Sequence, residues 1–292
     1  MLVFRVYLKL VLTTLFWGGS FIAGHAVMRG LPPMVAATGR FLLAALVLLG
    51  ILLSTEGWPK VNRKQWLTIL GLALTGIFAY NFFFFKGLGL IPASRAALLV
   101  ALNPILTALV EALLYRKRLS PMRLLGVSLS LLGTLWVVSQ GHLSSFTQGA
   151  VGWGELVMLM ASLSWVVYTL ISRRAMTGLS PLANTTLSGM LGFVLLLPFA
   201  LQDGLTGHLV HMGWQEWALL AYLAVPGTVL SFLWYAEGIK AVGPQRTIIF
   251  TNLVPVFGVL LSVLLLGEQL SLATVLGGSL TIAGVFLTNR VK

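Results

Sequence analysis

Apolar runs of bilayer length follow one another along almost the whole chain, and no other feature of the sequence restricts the fold so strongly. A helix needs about 20 apolar residues to cross a hydrocarbon core. Inside that core every backbone N–H and C=O must be satisfied within the protein. Such runs read at 6–27, 34–54, 65–86, 93–115, 121–140, 151–172, 181–201, 215–238, 245–266 and 270–289. Turn residues separate them: Gly30-Leu31-Pro32-Pro33, Gly57-Trp58-Pro59, Gly89-Leu90-Ile91-Pro92, Ser120-Pro121, Gly178-Leu179-Ser180-Pro181 and Gly243-Pro244. Several connections are so short that neighbouring helices must run antiparallel. The longest polar connections, 55–64, 141–150 and 202–214, hold no soluble domain. Composition agrees, with 9% charged residues against about 25% in soluble domains. The N-terminal MLVFRVYLKL leads into a run of full span length, longer than a signal-peptide core, and is expected to remain as the first helix. The expected fold class is an all-α integral membrane protein of ten transmembrane helices.

The basic residues orient these spans. With the N-terminus in the cytoplasm, Arg5, Lys9, Lys60, Arg63, Lys64, Arg116, Lys117, Arg118, Arg123, Arg173, Arg174, Lys240, Arg246, Arg290 and Lys292 fall inside. Arg29, Lys86 and Arg95 fall outside, and Arg40 lies within a span. Cytoplasmic loops carry the excess of Lys and Arg, so both termini are expected in the cytoplasm, with the protein in the inner (plasma) membrane. The net charge of +12 arises from these loops. No basic stripe on a polar domain is present to meet nucleic acid, and that partner is excluded. The chain has no cysteine, which removes disulfide and thiol chemistry. His208 and His211 form H-x-x-H without a third ligand and read as solvated. No metal and no cofactor are expected. The expected partners are a small-molecule substrate and the lipid bilayer, and nothing in the residues sets an oligomeric state.

The chain also repeats itself. MRGLPP at 28–33 returns as MTGLSP at 176–181, and the same offset of 148 pairs Trp17 with Trp165. From Trp66 an ungapped offset of 151 pairs Trp66 with Trp217, Gly76 with Gly227, Gly87 with Gly238, Pro104 with Pro255, Gly126 with Gly277 and Gly133 with Gly284. Glycine and proline mark backbone geometry, so their recurrence implies a recurring backbone. The expected organisation is a first five-helix repeat over 1–140, a linker over 141–150 and a second repeat over 151–292. Five is odd, so the second repeat enters the membrane inverted. Inverted repeats are a signature of secondary transporters, with the substrate site near the midplane at the repeat interface.

Particular stretches carry a resemblance: FWGGSF (16–21), GRF (39–41), ASRAALLVALNPILTALVEAL in the fourth span, and QRTIIFTNLVPVFGVLLSVLLLGEQLS leading into GGSLTIAGVFL. In their order and spacing the chain resembles the drug/metabolite transporter superfamily, EamA type, with the bacterial amino-acid exporters as the nearest architecture. The resemblance implies export of small metabolites by alternating access without ATP hydrolysis. One departure stands out. Where the second half has Gly267-Glu268, the first has Arg116-Lys117, so no role for that glutamate passes to the first half.

Candidate substrate-binding residues follow from depth and symmetry. Trp17 and Trp165 lie some ten residues inside their spans, too deep for an interfacial belt. Tyr80 and Asn81, and Trp234 and Tyr235, belong to matching aromatic clusters on the third helices of the two halves. An amide such as Asn81 in hydrocarbon needs a partner and should face the bundle. Asn103 and Asn252 sit beside Pro104 and Pro255 on the fourth helices, where a proline frees a carbonyl. Arg40 and Glu111 are the candidates for charge or gating. For Arg40, near the outer side, the expectation is outward snorkelling. For Glu111 it is an ion pair with Arg116 or Arg118. Lys86 and Arg95 are expected to pair with Glu155, Glu216 or Glu268, and Glu237 to lie near Lys240.

The expected function is a secondary exporter of small metabolites, amino acids or other amphipathic molecules. Sugar phosphates would require an arginine clamp. A channel or lipid-handling protein is the alternative, and scattered amides supply no polar pore for it. An intramembrane enzyme is disfavoured. Ser20 and His25 point in different directions on one helix, and neither G-x-S-x-G nor H-E-x-x-H occurs.

Overall fold

The computed structural model describes residues 2–100, 102–114, 120–138, 141, 152–175, 178–242, 247, 250–251 and 253–290. Every regular element among them is helical. The first half holds α1 (Leu2–Val27), α2 (Pro33–Thr55), α3 (Arg63–Leu88), α4 (Ala93–Val100), α5 (Asn103–Leu114) and α6 (Pro121–Val138). The second holds α7 (Trp153–Ala175), α8 (Pro181–Gln202) and the short α9 (Leu205–His211). A continuous rod, α10, follows, built from Trp214–Ala224, Val225–Leu230 and Ser231–Val242, and then α11 (Leu253–Leu266) and α12 (Leu272–Arg290). Among the described residues α1, α2, α3, α7, α8 and α10 are long and apolar enough to cross a membrane, and α6, α11 and α12 carry shorter apolar stretches.

Local chemistry sets the helix ends. Pro33 opens α2, where a missing N–H costs nothing. At its far end the N–H groups of Glu56 and Gly57 both reach Leu52 O, with Gly57 at φ 72°, a conformation that favours glycine. Asn62 and Gln65 close a capping box at the start of α3. Ser180 caps α8 by accepting from the Ala183 N–H.

The structure departs from the sequence reading in several places. The fourth span is broken at Leu102, a turn residue whose N–H reaches Leu99 O at 3.1 Å, just before Pro104, which has no N–H to give to the ladder. The connection 202–214 contains α9, which follows Gly204 at φ 79°. The matched turns differ at their glycines: Gly178 has φ 100°, whereas Gly30 lies outside the left-handed region. α3 and α10 each carry a π-helical stretch, Ala73–Ala79 and Val225–Leu230, that no hydrophobic pattern announces. All of the expected linker except Gly141 lies outside the described residues.

The largest buried cluster packs Phe21, Phe84, Phe85, Leu88 and Ile91 toward the end of the bundle that carries turns 28–33 and 89–92. Polar contacts tie the same end. Arg95 pairs with Glu155 at 2.9 Å. Glu268 accepts from the N–H groups of Ala93 and Ser94, 3.1 and 3.4 Å away, and so caps α4 from the other half of the chain. Lys86 lies 5.6 Å over the Phe82 ring and makes no ion pair among the described residues. At the opposite end Lys9 pairs with Glu237, and Ser180 donates to Glu56. Leu46, Leu67, Leu132, Leu264 and Leu272 are exposed on the flanks, as expected of surfaces that meet lipid tails.

Candidate functional site

One cavity opens at the centre of the bundle, with about 1100 Å³ of empty space when its solvent-open mouth is counted. Both halves line it. From the first come Trp17 and Ser20 of α1, Arg40 of α2, Tyr80 and Asn81 of α3, and Asn103 of α5. From the second come Trp165 and Thr169 of α7, Phe232 and Tyr235 of α10, and Pro255 of α11.

An aromatic wall runs across the site. Trp17 and Trp165 meet edge to face, 6.1 Å apart at 80°. Trp17 also contacts Phe232 and Tyr235, at 6.0 and 5.3 Å. Trp165 contacts Tyr80 and Tyr168, at 5.1 and 5.0 Å. Edge-to-face and tilted pairs of this kind hold rings in fixed orientations.

Arg40 faces inward, and the expectation of outward snorkelling is corrected. It is 5% exposed. Its Nε donates to Thr228 Oγ1 at 2.8 Å, Nη1 to Asn81 Oδ1 at 3.3 Å and Nη2 to Gly227 O at 3.3 Å. The physical reason is acceptor supply. The π-helical stretch of α10 presents the Gly227 carbonyl and Thr228, whose hydroxyl itself donates to Leu223 O. Three acceptors from two neighbouring helices offset part of the desolvation of the guanidinium.

Asn81 faces the bundle, yet its amide is already engaged. Nδ2 donates to Ile77 O at 2.7 Å while Oδ1 holds Arg40. Asn81 therefore orients the guanidinium rather than presenting a free amide. Trp234 does not line the cavity. Phe232 and Tyr235 are three apart and share a helix face, and Trp234 is turned about 100° from Tyr235. It packs against Phe16 at 5.9 Å, with Lys9 5.9 Å over its ring. Asn252 and the Glu111 side chain lie outside the described residues. Glu237 pairs with Lys9.

Sequence reasoning missed Phe232, Thr169 and Ser20 as lining groups, and Gly227 and Thr228 as acceptors for Arg40. Pro226-Gly227 in mid-span was the available signal, since a proline there disturbs the helical ladder. Ser20 and His25 do not pair with each other: Ser20 donates to Phe16 O, and His25 Nδ1 contacts Leu88 O. No group able to hold a metal ion occurs among the described residues.

Known proteins share this architecture. A solved structure superposes with a TM-score of 0.65 at 21% identity, covering 97% of this chain and 98% of its own, which is a likeness of fold. "Uncharacterized transporter YyaM" of Bacillus subtilis (strain 168) is 31% identical over 98% of this chain and 94% of its own length. An "uncharacterized transporter" of Archaeoglobus fulgidus is 30% identical over 97% of both chains. A "probable amino-acid metabolite efflux pump" of Salmonella typhimurium is 26% identical over 95% of this chain and 92% of its own. The EamA-like transporter family matches residues 4–139 and again 152–290. The chain belongs to the EamA-like transporter family, a family of multi-pass membrane transporters rather than enzymes.

Proposed function

We propose that the protein is a secondary exporter that moves small amphipathic metabolites, amino acids among them, across the inner membrane by alternating access. The observation that carries the reading is the central cavity, lined by both halves and walled by Trp17 and Trp165. On this reading the chain has ten spans as two inverted five-helix repeats, with both termini cytoplasmic.

Reciprocal packing supports the inversion. A Cβ added at Gly133 would lie 2.5 Å from both Gly277 O and Thr281 N, and one added at Gly284 would lie 2.5 Å from Gly126 O and 2.4 Å from Ser130 N. Under the offset of 151 these are the same contact made in both directions, as a two-fold requires. Along the contact α6 rises from Gly126 to Gly133 while α12 falls from Gly284 to Gly277, so the equivalent helices run antiparallel. A two-fold that relates antiparallel neighbours lies perpendicular to them, hence in the membrane plane. The same reciprocity brings Tyr168 against Gly76 and Ser20 against Gly227, with Ser20 and Tyr168 in equivalent slots.

The buried cluster of Phe21, Phe84, Phe85 and Leu88 would, on this reading, be the closed side of a carrier rather than the path of an open channel. The deciding experiment is efflux from proteoliposomes holding purified protein, screened with a panel of radiolabelled amino acids and aromatic metabolites. Saturable, protein-dependent flux of at least one compound is expected. Flux that rises linearly with concentration for every permeant compound would refute a carrier.

A further inference from the structure

Resting on the transporter reading, we infer that Arg40 is the carboxylate-binding group of the cavity, and that its ligands are small monoanionic carboxylates with an aromatic or branched apolar body. Arg40 lines the cavity and is 5% exposed. Its three acceptors, a hydroxyl, an amide oxygen and a backbone carbonyl, are all neutral. They satisfy hydrogen bonds but leave the positive charge uncompensated.

Among the described residues no carboxylate meets Arg40. Glu56, Glu155 and Glu237 engage Ser180, Arg95 and Lys9. Glu268 caps α4. Asp203 follows the last residue of α8, and Glu216 sits in the first turn of α10. Glu111 lies eight positions beyond Asn103 on α5, about 12 Å along the axis. A charge inside a membrane is costly and marks ligand pathways. A purely structural clamp between α2 and the π-helical stretch of α10 could be made from neutral groups.

Guanidinium carries five N–H donors, and the three bonds leave one on each terminal nitrogen. Two donors are the number that the two oxygens of a carboxylate call for. Phosphate is a poorer fit. The other polar lining groups are neutral, Ser20, Asn103, Thr169 and Thr251, and a dianion calls for several cations. No described carboxylate lines the cavity to meet an ammonium, so an amine on the ligand is not required. Where one is present it faces the rings of Trp17, Trp165 and Tyr235. The same rings accommodate the apolar body.

Isothermal titration of the purified full chain with 3-phenylpropionate and its neutral isostere 3-phenylpropionamide tests this. The acid should bind at least tenfold tighter than the amide. Arg40→Gln should erase that preference by weakening the acid far more than the amide, and Arg40→Lys should retain part of it. The acid-to-amide ratio is a readout that loss of packing alone would not move. Equal affinities in the wild type, no binding of the acid, or a preference that survives in Arg40→Gln overturns the inference. If Arg40→Gln fails to fold, the wild-type comparison and Arg40→Lys still decide it. The two readings fail separately. Saturable flux of a neutral compound, insensitive to 3-phenylpropionate, removes the carboxylate site and leaves the transporter. Acid-selective binding without saturable flux of any compound does the reverse.

Discussion

Trp17 touches three rings from the opposite half of the chain, and its position makes it the residue most sensitive to truncation. Replacing it with alanine removes the contacts to Trp165, Phe232 and Tyr235, each worth about 0.5–1.5 kcal/mol beyond its area. Trp17→Ala should abolish saturable transport, while circular dichroism and membrane insertion stay as in the wild type. Trp17→Phe should recover part of the activity. Unchanged affinity and rate in Trp17→Ala would remove α1 from the cavity wall. Asn81 acts one step further back. Asn81→Leu takes an acceptor from Arg40 Nη1, and a buried donor left unmet costs about 1–3 kcal/mol. Thermal unfolding should report that loss as a lower Tm.

At the scale of elements, glycine allows α6 and α12 to approach backbone to backbone. A methyl at Gly133 would meet Gly277 O and Thr281 N, atoms that move only with their helix. Overpacking of this kind costs about 1–3 kcal/mol. Gly133→Ala and Gly284→Ala should therefore destabilise the purified protein by similar amounts, because they strike equivalent contacts. Gly50→Ala, inside α2 where an added Cβ meets nothing, is the control and should hold or raise Tm, since alanine is the better helix former. Glu268 joins two other elements by capping α4 from the segment before α12. Loss of a cap costs about 1 kcal/mol. Glu268→Ala should lower Tm by that increment and leave the affinity for transported substrate unaltered. A change in affinity with no change in Tm would contradict a purely capping role.

For the whole molecule, orientation and access are the properties at stake. The excess of Lys and Arg on one side predicts that a phosphatase fused after Lys292 stays inactive, while a fluorescent protein fused there folds and fluoresces. Phosphatase activity at that position would overturn the topology. On the proposed alternating-access cycle, the end packed by Phe84, Phe85 and Leu88 would have to open. A bundle held by aromatic packing and a few polar contacts, such as Arg95–Glu155, is suited to that change, because such interfaces hold a small number of discrete packings.

Membrane class and helix positions were legible in the residues, because hydrocarbon forces span length and internal hydrogen bonding on any sequence. The family model matches twice, over 4–139 and 152–290, and the recurrence of glycine and proline was likewise legible. So were Trp17 and Trp165, whose depth and equivalence marked them before their rings were seen to touch. Tertiary structure decided what linear distance hides. It turned Arg40 inward, since its acceptors Gly227 and Thr228 lie on a helix nearly two hundred positions away and a π-helical stretch presents them. It placed Trp234 outside the cavity and Phe232 inside, a matter of two residues and about 200° of helical rotation that only neighbouring helices can fix. It gave Glu268 its work on α4, a contact between segments that adjoin only after the two halves pack together.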